Sequence, residues 1–289
     1  EADFTDNNNF ATDALTRTWN PVINPPEITV NNGIDDAIVK EDGAVIVPIT
    51  ATLGASPAAG EFLTVTVTGI NPAWGFSAPV GTYNAATGTW TVTLAAGQNL
   101  STAMTFTPPA NSDIDLNGLV ATVVATDPAS GLTASDNDGF RIITDAVADQ
   151  PTISASAATA EQGHPVAIAI SAAVTDTDGS EAITGYEISG VPARFSFNQG
   201  TDLGGGVWAF TPAQIAGLQL IAPANYYGNQ TLTVKGLNTE NPVSDGEADY
   251  TDNNNFNTAA LDICITRDDT PVVVNPPAET VDETALAAG

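Results

Sequence analysis

The decapeptide Glu247-Ala-Asp-Tyr-Thr-Asp-Asn-Asn-Asn-Phe256 occurs a second time, with Phe in place of Tyr, at the start of the chain as Glu1-Ala-Asp-Phe-Thr-Asp-Asn-Asn-Asn-Phe10. Each copy leads on to an Asn-Pro-Pro, Asn24–Pro26 and Asn275–Pro277. Chance does not produce such a pair. The chain therefore reads as a slice of a repeat array whose unit is about 250 residues long, and a repeat constrains the fold more than any other sequence signal.

Within that unit the text consists of short β-branched runs separated by Gly, Pro, Asn and Asp. They are Ala44–Ala51, Leu63–Ile70, Thr89–Leu94, Ala103–Thr107, Leu119–Thr126 and Gly139–Thr144. Thr64-Val-Thr-Val-Thr68 and Thr89-Trp-Thr-Val-Thr93 alternate with the period of two that a half-buried strand requires. No window sustains the 3.6-residue apolar period of a helix. The expectation is all-β, built of tandem immunoglobulin- or cadherin-like β-sandwich domains.

The unit is itself a duplication with an offset of about 120 residues. Glu41-Asp-Gly-Ala-Val-Ile-Val47 answers to Glu161-Gln-Gly-His-Pro-Val-Ala167, and Gly60-Glu-Phe-Leu-Thr64 to Ser180-Glu-Ala-Ile-Thr184. Trp90 answers to Trp208, and Pro109-Ala-Asn111 to Pro223-Ala-Asn225. The expected organisation is the tail of a preceding repeat plus a proline-rich linker over 1–26, a first sandwich over 27–150, and a second over 151–270. Residues 271–289 are a linker and the start of the next repeat.

Composition narrows the function. Against 34 Asp and Glu stand 6 Lys and Arg, a net charge of -28. Such a surface repels nucleic acid and anionic lipid, so nucleic acid is excluded as a partner, and it repels itself unless cations neutralise it. No apolar run approaches the roughly 20 residues of a membrane span, so no membrane insertion is expected. Cys264 is the only cysteine, which removes intramolecular disulfides as a source of stability.

Calcium, Ca2+, is the expected cofactor. It takes about six to eight hard oxygens, which carboxylates, Asn amides and backbone carbonyls supply when acids recur at short spacing in an extended turn. The candidate ligands are Glu41, Asp127, Asp136 with Asp138, Asp145 with Asp149, Asp176 with Asp178 and Glu181, and Asp245, Glu247 and Asp249. Asp149 and Asp178 are expected to share an ion at the join between the sandwiches. The alternative is that these acids merely shape turns, as Asp and Asn do through local hydrogen bonds. Asp176–Glu181 has half the EF-hand spacing and no flanking helices, so it is not an EF-hand.

Asp145…Asp149-Gln-Pro151, after Ala125-Thr-Asp-Pro-Ala-Ser-Gly131, resembles the cadherin-type calcium linker. Val174-Thr-Asp-Thr-Asp-Gly-Ser-Glu181, followed by Ser189-Gly-Val-Pro192, Trp208 and Leu218–Pro223, resembles the repeated modules of giant repeats-in-toxin (RTX) adhesins of Gram-negative bacteria. That resemblance covers essentially 27–289. It implies type I secretion, an extracellular place on the bacterial cell surface, and service as calcium-stiffened extender modules in adhesion and biofilm formation. The glycine-rich nonapeptide repeats of that class are absent from this sequence, and the secretion signal would lie elsewhere in the full protein.

Other chemistry is weakly supported. His164 stands alone beside Pro165, and Cys264, among Leu261, Ile263 and Ile265, reads as a small buried residue. Trp90 and Trp208 read as core rather than as a sugar platform, and Tyr226-Tyr227 is a candidate for ligand contact on a loop. No G-x-S-x-G, H-E-x-x-H or P-loop occurs, so an enzyme is not expected. Besides the spacer, two readings stay open: a sandwich that recognises a sugar or protein, and a subunit of a self-assembling filament. The partners expected are adjacent repeats of the same chain, and neighbouring copies if residues 1–18 add as a strand to another sandwich.

Overall fold

The computed structural model describes residues 22–176, 179–240 and 253–269. Asp178, Asp245, Glu247 and Asp249, the tail 1–18 that is expected to add as a strand, and the segment 271–289 lie outside the described residues. The described chain divides into two compact units, one ending at Val147 and one beginning at Ala148. Both are β-sandwiches, as the sequence pattern requires.

The first unit contains β1 (Glu27–Val30), β2 (Asp36–Lys40), β3 (Val45–Thr52), β4 (Phe62–Thr68), β5 (Gly75–Ser77), β6 (Thr82–Asn84), β7 (Thr89–Thr93), β8 (Leu100–Thr107), β9 (Leu116–Thr126) and β10 (Thr133–Asp145). One sheet has the order β1-β3-β8-β5 and the other β2-β10-β9-β4-β7-β6. The β2–β10 pair is parallel, an arrangement that local alternation cannot foretell. Val65 and Val67 point inward and are fully buried, while the intervening threonines face out and pair hydroxyls across the sheet, Thr64 with Thr93 at 3.2 Å. Val47, Ile49, Met104 and Phe106 meet them from the other sheet. Burying each such side chain is worth about 1.5–3 kcal/mol, so the alternation itself is the main force that sets the register.

The second unit contains β11 (Thr152–Ala155), β12 (Ala158–Glu161), β13 (Val166–Ala167), β14 (Ile170–Ala173), β15 (Glu181–Ser189), β16 (Ser196–Phe197), β17 (Thr201–Gly204), β18 (Val207–Phe210), β19 (Gln219–Ile221), β20 (Gly228–Glu240) and β21 (Asn254–Thr266). Its larger sheet, β12-β21-β20-β15-β18-β17, repeats that of the first unit strand for strand, including the parallel pair β12–β21. The duplication read in the sequence is thus a duplication of topology. Trp90 lies opposite Val67 and Trp208 opposite Ile188, at matching places in the two units.

Two expectations are met only in part: Trp208, read as core like Trp90, is half-buried against the second core, and so is Cys264. Leu261, Ile263 and Ile265 are buried on the inner face of β21, and the period of two therefore turns Cys264 to the outer face, where it is half-buried. Among the described residues no helix is long and apolar enough to cross a membrane.

Candidate metal centre

The second unit gathers buried oxygens where the chain enters it. Glu181 opens β15 and Glu240 closes β20, and the antiparallel register sets them opposite each other. Glu181 is 9% exposed and Glu240 is fully buried. Asn238, two residues before Glu240 and so on the same face of β20, is 1% exposed. Its Nδ2 donates to the carbonyl of Asp149 at 2.8 Å. The N–H of Asp149 in turn donates to the Glu181 carboxylate.

β21 adds two more tethers. Asn255, opposite Asn238, donates through Nδ2 to the carbonyl of Ala148 at 2.9 Å, and Asn257 donates to that of Pro151 at 2.9 Å. Three amides and one carboxylate thus fasten residues 148–151 to the ends of β15, β20 and β21. This gives the Asn run of the repeated decapeptide a physical task. Asn253 also belongs to it, its carbonyl accepting the N–H of Glu240 at 3.0 Å.

Two oxygens in this cluster, Glu181 Oε2 and Asn238 Oδ1, are buried and accept no hydrogen bond among the described residues. An orphaned buried acceptor costs about 1–3 kcal/mol, more when it carries charge. Burial raises the Glu181 carboxyl above its ordinary pKa. The negative charges of Asp149 and Asp176 act in the same direction, against the Asp149 N–H and the Asn238 amide that lower it. Asp176 is itself 2% exposed. A cation here would satisfy both orphaned oxygens and remove the repulsion. Among the described residues no three His, Cys, Asp or Glu side chains stand close enough to enclose a metal by themselves. A metal bound here would need a mixed donor set, in which Glu181, Glu240 and Asn238 Oδ1 are the side-chain candidates. An all-oxygen set of that kind suits calcium rather than zinc or copper.

The other candidates are placed differently. Glu41 and Asp145 come together where β2 and β10 end in the first unit. The N–H of Glu41 donates to the Asp145 carbonyl at 3.0 Å, and the Glu41 carboxylate accepts from Val147 N–H. Asp127 serves its own turn: Oδ2 accepts from the Ser130 hydroxyl at 2.6 Å and Oδ1 from Ala129 N–H at 2.9 Å. The Ser130 hydroxyl, and then the Ala129 N–H, hold this carboxyl below its usual range. Asp136 and Asp138 reach from β10 to the outer edge of β1, where Asp136 accepts from Ile28 N–H at 3.1 Å and Asp138 from Val30 N–H at 2.8 Å. These two acids cap a sheet edge that would otherwise carry unpaired donors. Asp127, Asp136 and Asp138 thus each serve as acceptors within the first unit.

The sequence reading missed Asn238, Glu240, Asn255 and Asn257, which lack the short Asp spacing it sought. The repetition of Asn253-Asn-Asn-Phe256 was the one available signal. It also missed Glu61, which matches Glu181 in the duplication, is 2% exposed, and accepts from Ala58 N–H at 2.8 Å through Oε2.

No family model and no curated protein sequence matches the chain. Among solved structures, the titin domains Z1Z2 in complex with telethonin are 12% identical, over 84% of this chain and 96% of that one, with a TM-score of 0.28. BcpA, the major pilin subunit of Bacillus cereus, is 9% identical over 84% and 69%, with a TM-score of 0.31. FdeC, an Escherichia coli adhesin, is 15% identical over 84% and 65%, with a TM-score of 0.23. Likenesses this distant carry no argument about function, which rests on the residues themselves.

Proposed function

We propose that this chain is a non-catalytic extender of a bacterial cell-surface adhesin, acting outside the cell as a spacer between adjacent repeats and stiffened by calcium. The observation that carries the reading is the pair of orphaned buried oxygens, Glu181 Oε2 and Asn238 Oδ1, beside the fully buried Glu240, at the point where residues 148–151 are tied down. A cation held there fixes the direction in which the chain enters the second sandwich. The decapeptide repeat supports the role of spacer, since a duplicated sandwich that recurs lends itself to building length. Extracellular calcium modules bind at about 0.1–1 mM, so the site fills outside a cell and empties inside one. Stiffening then follows export.

The test is a calcium titration read by melting curves and small-angle scattering, with magnesium as the control. Calcium should raise the melting temperature of the second unit and narrow the distribution of chain dimensions, and chelator should reverse both. An identical melting curve and scattering profile in calcium and in chelator would refute the reading.

A further inference from the structure

A second, unrelated concavity lies in the second unit, and the duplication shows how it arose. In the first unit Trp90 is sealed: its cross-strand neighbour is Tyr83, and its indole N–H donates to the Val80 carbonyl at 2.9 Å. At the matching place Trp208 has Asp202 as its cross-strand neighbour, is only half-buried, and makes no hydrogen bond through its indole among the described residues. One side of the ring rests against Phe197, with centroids 5.4 Å apart. Trp208, Arg194, Asp202 and the Gly204–Gly206 loop line an open cavity of about 440 Å3.

The polar groups are arranged for an external ligand. Arg194 is exposed and, in a chain of net charge -28, has no ion-pair or hydrogen-bond partner among the described residues. It is held at a φ of 72°, a left-handed conformation that favours glycine, by a turn in which Phe195 N–H donates to the Pro192 carbonyl at 3.1 Å. Strain of this kind at a long charged residue points to use. Gly204, Gly205 and Gly206 have φ of 84°, 63° and 78°, and a Cβ on either of the first two would meet nothing within 4 Å. The rim is therefore bare backbone that a ring can approach. Asp202 Oδ1 accepts from Gly204 N–H at 2.8 Å, which leaves its second oxygen available to a hydroxyl.

We infer that this cavity is a binding site for an acidic saccharide, with a pyranose ring stacked on Trp208, its carboxylate on the Arg194 guanidinium and a hydroxyl on Asp202. An aromatic face suits the C–H face of a sugar ring, and the guanidinium fork suits a carboxylate. The distant acids of the chain do not forbid an anion, since charge is screened over about 8 Å at physiological salt.

The full chain is titrated in chelator, so that no divalent ion bridges ligand and protein, with an oligogalacturonate and with a neutral galacto-oligosaccharide of equal length. Indole N–H resonances, with that of Trp208 assigned from Trp208→Phe, and calorimetry report binding. The oligogalacturonate should shift the Trp208 resonance saturably. Arg194→Gly, which suits the backbone and keeps the melting temperature, should weaken binding about tenfold or more. Lack of saturation, equal binding of the neutral sugar, or undiminished binding by Arg194→Gly overturns the proposal.

Discussion

Glu181→Gln separates the charge at the candidate metal centre from its shape. Gln keeps the length of the side chain and an acceptor for Asp149 N–H, but it cannot bear the charge that a cation would neutralise. In chelator near neutral pH the wild-type carboxylate is buried and faces the charges of Asp149 and Asp176, so the variant should be at least as stable. At calcium about 100 times the dissociation constant the wild type gains about 2.7 kcal/mol. For a unit of roughly 120 residues that is about 10 °C in melting temperature, and the variant should lack most of it. The order of stability therefore inverts between the two conditions. The pH dependence checks the same reasoning. The Glu181 pKa is raised in the folded state above its reference of 4.5, so in chelator its stabilising contribution is fully present below that value. It is lost as pH rises through the folded pKa. In calcium the trend reverses, because protonation competes with the ion. Calorimetry locates the transitions, and hydrogen exchange along β15 and β20 assigns them to the second unit. Equal calcium shifts in variant and wild type would show that Glu181 is not a ligand.

The edge of β1 offers a test free of any ion: Asp136→Ala and Asp138→Ala should each cost about 1–3 kcal/mol by leaving Ile28 or Val30 N–H without its acceptor. Faster hydrogen exchange at those two amides should accompany the loss, and unchanged protection would contradict the assignment. Asp127 should titrate below its reference of 3.8, so the stability it contributes is present above that value and is lost as pH falls through its folded pKa. Ser130→Ala should move its titration, followed by carboxyl carbon NMR, back toward 3.8, whereas a wild-type value at or above the reference would remove the role of the Ser130 bond.

Strand β4 was legible in the residues because its inward valines and outward threonines obey the period of two without help from any distant partner. β7, with Trp90 and Val92 facing in, was legible for the same reason. The duplication also followed from letters alone, and with it the equivalence of Trp90 and Trp208. The three-residue strands β5 and β6 were not legible, nor was β10 before Gly139. Segments so short, or so polar as Asp136-Asn-Asp138, carry no apolar signal, and only a neighbour's free backbone groups make strands of them. The same distinction governs the site. Acidic richness pointed to cations, but which acids cooperate depends on register: Glu181 meets Glu240 because β15 and β20 run antiparallel with those residues at their shared end. Asp136 and Asp138, evenly spaced along the sequence, reach the Ile28 and Val30 N–H groups of β1. Local alternation is written in neighbouring residues, whereas the meeting of residues 59 positions apart is decided by which sheet edges pair.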